Sequence, residues 1–322
     1  MVSVVAQMAV LIAAGIGWRW FSPGEIDPQT LRRALTTLVY YLLLPALVLK
    51  TIWLAPLGAD SLRIALVAAL TVLGSLAIAL AVCRLCRLDA AGVGALLMAA
   101  AWPNATYLGL PVLDALFGLE GRAVAIQYDL FACLPLLLIL SVWIGRRYGV
   151  VTDADARLRL PISVVRGLLR VPALWAALGG VALNLGGVPL PDGPAEVLGF
   201  LGHSVAPLML FALGLALTFE VFRRPETTTL TRPLVMVVMI QLAAAPLIAW
   251  LLTRSIGLEG VPAAGSVLEA AMPAMVLGLV FCDRYRLDAS LYAAAVTTTT
   301  LAAFLTLPAW FWLITEGPLA LA

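Results

Sequence analysis

The sequence predicts an all-α polytopic membrane protein: ten transmembrane helices in two inverted five-helix repeats, with the fourth and ninth helices broken and crossing. Three observations carry this expectation. Hydrophobic residues make up 63% of the 322 and charged residues only 12%, whereas soluble domains are about half apolar and a quarter charged. Apolar runs near the roughly 20 residues that cross a bilayer as a helix recur along the whole chain, and mean hydropathy is +1.04. Finally, two of these runs are interrupted midway by proline, at corresponding places in the two halves.

In chain order the spans are expected at about 2 to 18, 34 to 54, 62 to 83, 93 to 118, 124 to 145, 172 to 187, 200 to 219, 233 to 254, 262 to 282 and 289 to 315. The first has no basic residue before it and no small-residue cleavage site, so it is expected to be a retained helix rather than a signal peptide. Of the 20 Lys and Arg residues, all but Lys50, Arg63, Arg122 and Arg254 fall in the odd-numbered connections. The positive-inside rule then places both termini outside and the Arg146 to Arg170 connection in the cytoplasm, as a multi-pass protein of a bacterial inner (plasma) membrane. That connection divides the chain into a first repeat, 1–150, an Arg-rich linker, 151–171, and a second repeat, 172–322. Pro45 matches Pro207, Pro103 matches Pro273 and Pro135 matches Pro308, at separations of 162, 170 and 173 residues. Five spans per repeat is an odd number, so the second copy enters the membrane from the opposite side.

The two interrupted stretches are AAAWPNATYLGLPVLDALFG, residues 99–118, and EAAMPAMVLGLVFCD, residues 269–283. Proline removes a backbone donor, and lipid supplies no replacement, so such breaks belong inside protein or beside a water-filled cavity. Each break starts a new half-helix whose first amides lack partners and whose dipole is positive, a natural site for an anion. Pro103, Asn104 and Thr106 on one side, with Pro273, Ala274 and Met275 on the other, are the candidate binding residues for a shared carboxylate. Gly109, Pro111 and Gly278 fit close helix approach or a further bend. Kinks for packing alone would account for one such site; two at equivalent places, one carrying Asn, favour binding.

Three acids lie in or near spans. Asp114 and Asp129 either couple transport to protons or reach headgroup water, and Glu269, four residues before Pro273, is the better candidate for proton coupling. His203 is a lone histidine, Thr297 to Thr300 are expected to bond back to their own helix, and Cys83 with Cys86 lacks the further ligands of a zinc site. No catalytic residue, metal site or cofactor is expected, proton or sodium coupling aside, and no nucleic-acid partner; membrane lipid is the expected neighbour of the Arg cluster.

At the broken segments the chain resembles the auxin efflux carrier family, which includes plant PIN-type carriers and bacterial carriers of small dicarboxylates such as malonate. The likeness rests on Pro103-Asn104, Gly109, Pro111, Ala115 and Gly118, on AMPAMVLGLVFCDRY, and on the ending from Leu301 to Trp312. It implies a transport domain working against a scaffold domain, carboxylate binding at the crossover with Asn104 as the family's asparagine, and a homodimer. It also implies that Gln127 lines the same cavity. Ala274 and Met275 stand where plant carriers have a polar residue, and the long hydrophilic loop is reduced to the Arg-rich connection, so a small organic acid is expected rather than auxin. The leading reading is a secondary carrier of a small organic anion; the alternative is a membrane sensor that binds an anion without moving it. GxxxxGK[ST], HExxH and GxSxG are all absent, which argues against a pump or an intramembrane enzyme.

Overall fold

The computed structural model describes residues 2–86, 88–149, 167–219 and 227–321, and among these every regular element is helical. Seven helices are long and apolar enough to cross a membrane: α1 (Ser3–Phe21), α2 (Pro28–Leu54), α3 (Ala59–Leu85), α5 (Ala105–Tyr148), α7 (Asp192–Ala216), α8 (Thr231–Ser255) and α11 (Ala289–Thr315). Shorter α-helices among the described residues are α4 (Ala90–Ala101), α6 (Pro172–Leu185), α9 (Gly260–Ala270) and α10 (Gly278–Tyr285). The Arg-rich linker lies mostly outside the described residues, with Arg157, Arg159 and Arg166; so do Arg87, Arg223 and Arg224.

Local sequence explains most boundaries. Asp27, Asp89 and Asp288 cap α2, α4 and α11, their carboxylates accepting from the amides of Thr30, Gly92 and Leu291 at 2.8 to 2.9 Å. The second span, expected from 34, begins six residues earlier because Asp27 and Pro28 form a strong start signal. Arg32 and Arg33, expected in a connection, therefore sit on the first turns of α2. The 44 residues of α5 would make a rod of about 66 Å, twice a bilayer core. Instead Gly118, at φ 59° and ψ −135°, breaks the helix into arms 105–117 and 119–148. Few other residues tolerate that backbone. Arg122 and Asp114 clasp the corner at 2.7 Å.

Four prolines leave a common signature. Pro45, Pro111, Pro135 and Pro246 each follow, two residues on, a widened π-turn: Val39–Leu43, Ala105–Gly109, Asp129–Cys133 and Ile240–Ala244. The proline ring would clash with the carbonyl four residues back, and widening the preceding turn relieves the clash. The ladder continues through five-residue bonds, such as Leu110 N–H to the Ala105 carbonyl. Pro246 still orphans the Leu242 carbonyl, and the Trp310 indole donates to it at 2.8 Å. Pro308, expected to match Pro135, lies inside a continuous α11 with no such turn.

Packing sorts the helices into two groups. In the first, α2 packs on α6 and α7, and α1 on α7. In the second, α3, α4, both arms of α5, α8, α9, α10 and α11 pack on one another. The first group is tied together partly by Asn184 of α6, whose amide donates to the Trp53 and Ala55 carbonyls at the end of α2, both at 2.8 Å. Phe21, Phe200 and Leu305 are about four-fifths exposed on the outside, while Asn104, Gln127, Gln241 and Glu269 are buried. A surface of this kind suits lipid, and the polar interior marks where function is to be sought.

Candidate functional site

Trp102 to Asn104, between α4 and α5, and Pro273 to Met275, between α9 and α10, run antiparallel through the protein interior. Asn104 N–H donates to the Pro273 carbonyl at 2.7 Å, and Met275 N–H to the Trp102 carbonyl at 3.0 Å. In this register the Pro103 nitrogen points away from the partner segment, so its missing N–H costs no bridge hydrogen bond. The two breaks thus satisfy part of each other's lost helical bonding, as buried backbone requires.

Beyond the bridge the segments differ. On the second, the Ala274 amide donates to Thr299 Oγ1 at 3.1 Å, Tyr292 Oη to the Met275 carbonyl at 2.6 Å, and Gln241 Nε2 to the Met272 carbonyl at 3.0 Å. Gly278 makes this possible, since a Cβ there would overlap the Tyr292 hydroxyl. The expectation that the Ala274 and Met275 amides are free to hold a carboxylate is therefore corrected: both are already engaged. On the first segment the Asn104 side chain is 1% exposed, and neither its oxygen nor its nitrogen has a hydrogen-bond partner. It does not cap the new helix; its backbone carbonyl instead accepts from Leu108 and Gly109. The opening amides of α5, at Ala105, Thr106 and Tyr107, have no preceding helical carbonyl to bond.

Asn104 is among the residues that line a cleft of about 640 Å³, a volume that includes open solvent. One wall comes from the first helix group, through Thr36, Tyr40 and Leu44 of α2, Ala173 of α6 and Met209 of α7. The facing wall comes from the second group, through Asn104, Thr106, Tyr107, Asp129, Leu130 and Leu134. Thr106 Oγ1 donates to Asp129 Oδ2 across two of the π-turns, leaving Asp129 Oδ1 buried without a partner. No Lys, Arg or His lines the cleft among the described residues.

Of the residues singled out in the sequence, Asn104, Thr106, Asp129 and Met275 meet at this cleft. Pro103, Pro273 and Ala274 lie behind it in the bridge. Pro111 follows the π-turn at the start of α5. Gln127 is buried outside the cleft lining, with Oε1 unpartnered. Asp114 is paired with Arg122 at the Gly118 corner, apart from the cleft. Glu269 is fully buried with both carboxylate oxygens unpartnered, set against Gly109, where a Cβ would collide with it. It lies within electrostatic reach of Asp129. Of Thr297 to Thr300, all expected to bond back to their own helix, Thr297 and Thr299 do so, to the Ala293 and Ala295 carbonyls, whereas the Thr298 and Thr300 hydroxyls are buried without a partner; Thr299 also receives the Ala274 amide. Gln241 and Tyr292 went unnoticed in the sequence; a glutamine midway along an apolar span was the available signal for the first.

The model of the family described as "Membrane transport protein" matches residues 2–311. An uncharacterized transporter from Methanothermobacter thermautotrophicus is 31% identical over 296 residues, covering 89% of each chain. Another uncharacterized transporter, from Methanocaldococcus jannaschii, is 26% identical over 230 residues, covering 69% of this chain and 68% of its own. A match running almost from end to end, onto a helical membrane fold, places this chain in the membrane transport protein family of the auxin efflux carriers, as an integral multi-pass transporter.

Proposed function

We propose that the protein is a secondary transporter that moves a small organic anion by alternating access, with the anion's carboxylate bound where the two unwound segments cross. The observation that carries this reading is the Asn104 side chain, buried, without a partner, and facing a cleft between two helix groups. A buried amide left unsatisfied costs about 1–3 kcal/mol, a cost that a bound carboxylate relieves by accepting its N–H. The opening amides and dipole of α5 add to the same attraction.

In this reading the chain spans the membrane ten times, as inverted repeats 1–150 and 172–322 joined by the linker 151–171, and the second helix group rocks against the first. The placing of the cleft between the groups supports that motion, because relative movement of its two walls opens and closes it. On the orientation expected from the basic residues, the cleft lies towards the cytoplasm, the side of Arg32 and Arg170. Glu269 is the proposed coupling acid, since an ionised carboxylate at that depth costs several kcal/mol unless it gains a proton or a cation.

The test is uptake of labelled malonate, malate and indole-3-acetate into proteoliposomes, with intact protein and Asn104→Ala, with and without a pH gradient. Saturable flux of one acid, lost in the variant, is expected, and dependence on the gradient identifies proton coupling. Normal flux in the variant overturns the crossover site, and binding without flux identifies a sensor.

A further inference from the structure

We propose that the carboxylate-bearing cargo of this cleft also carries an ammonium group, as an α-amino acid with an apolar side chain. This rests on the carboxylate-binding reading above and names the substrate class. The argument begins from a mismatch of charge. The cleft has no cationic side chain among the described residues, yet it has an acid, Asp129, whose Oδ1 is buried and unpartnered. A ligand carrying only negative charge would be repelled by that oxygen in a poorly screened site. A ligand with an ammonium beside its carboxylate turns the repulsion into a charge-assisted hydrogen bond.

The geometry suits the α-amino acid head group, in which ammonium and carboxylate share one carbon. Asn104 and the first amides of α5 are donors for the carboxylate. Thr106, two residues beyond Asn104, donates its hydroxyl to Asp129 Oδ2 and so holds the acid beside those donors, with Oδ1 left for the ammonium. Donor and acceptor ends of the site are thus joined through a single helical turn. Most of the remaining lining is apolar, through Leu44, Leu130, Leu134, Met209, Met275 and Leu277, with Thr36, Tyr40 and Tyr107 beside them. A dicarboxylate would have to put its second charge against that wall, whereas an aliphatic side chain buries there favourably. One compact polar corner in a mostly apolar cleft is the usual composition of a small-molecule site.

Three probes of matched skeleton test the idea in proteoliposomes: L-leucine, its deaminated analogue 4-methylpentanoate, and its decarboxylated analogue 3-methylbutylamine. Intact protein should take up leucine saturably, with each analogue competing roughly tenfold or more weakly, the loss expected for one charged hydrogen bond. Asp129→Asn should lower leucine uptake by a similar factor and so narrow or abolish the preference for leucine over 4-methylpentanoate. Leucine, and not 4-methylpentanoate, should raise the melting temperature of the detergent-solubilised intact protein, a measurement that needs no variant to fold. Uptake of 4-methylpentanoate or malonate equal to or above that of leucine overturns the zwitterion and leaves the carboxylate carrier standing, with Asp129 then a candidate proton carrier. If no carboxylate of either kind binds or moves, both readings fall together.

Discussion

The two unwound segments bridge each other through a matched pair of hydrogen bonds, yet their surroundings are opposite. Around Pro273 to Met275, side chains from α8 and α11 have taken up the freed backbone groups: Gln241, Tyr292 and Thr299 each hold one. Around Trp102 to Asn104 the indole of Trp102 reaches the Cys133 carbonyl at 3.2 Å, but the Asn104 side chain has no partner and the residue lines the cleft. A broken helix therefore does not by itself make a binding site. The break that the protein has filled is an anchor; the one it has left open is where a ligand gains most.

The largest effect on this comparison should come from closing the space they share with Glu269. Gly109→Leu pushes a side chain into a fully buried carboxylate, and overpacking of this kind costs about 1–3 kcal/mol or more. Transport and the yield of monodisperse protein should both collapse, and Gly109→Ala combined with Glu269→Ala should recover yield relative to Gly109→Ala alone. Next in size, Gln241→Leu and Thr299→Val should each lower the thermal stability of the detergent-solubilised protein by about 1–3 kcal/mol, because each strands a buried backbone group of the anchor segment. Asn104→Leu should do the reverse, leaving melting unchanged or raised while abolishing uptake, since it removes two unsatisfied atoms that only a ligand would use. Equal destabilisation by all three substitutions would erase the distinction between anchor and open segment. The smallest effect belongs to Asp114→Asn, which breaks a partly exposed ion pair at the Gly118 corner worth about 0–1 kcal/mol. A melting shift that shrinks further in high salt, with uptake intact, would keep that corner apart from the crossover.

Much of this was legible in the chain because membrane segments advertise themselves. Hydropathy marked the helices, and Pro103 and Pro273 marked the breaks, since neither can continue an α-helical ladder. Asn104 stood out as an amide in an apolar run. What could not be read is the fate of each freed backbone group, because it is decided by side chains far away in sequence: Thr299 reaches Ala274 across 25 residues, and Gln241 reaches Met272 across 31. Asp114 and Asp129 look alike as acids within apolar spans. Only the fold separates them, pairing the first with Arg122 eight residues on and facing the second into the cleft beside Thr106. The start of α2 was misplaced for a simpler reason: hydropathy marks where the apolar run begins, whereas Asp27 and Pro28 start the helix ahead of it.

Each of the four π-turns amounts to one surplus residue accommodated within a helix, and a single residue rotates everything beyond it by about 100°. The faces that α2, α5 and α8 present after Pro45, Pro111, Pro135 and Pro246 are thus indexed to insertions of one codon. Deleting one residue from such a turn and replacing its proline would turn the whole downstream helix like a key, leaving its length almost unchanged. Asp129, the first residue of one such turn, lies directly on that pivot. Small length changes at these four places are therefore a route by which descendants of one gene could re-aim a lining and acquire a new cargo while keeping the same scaffold.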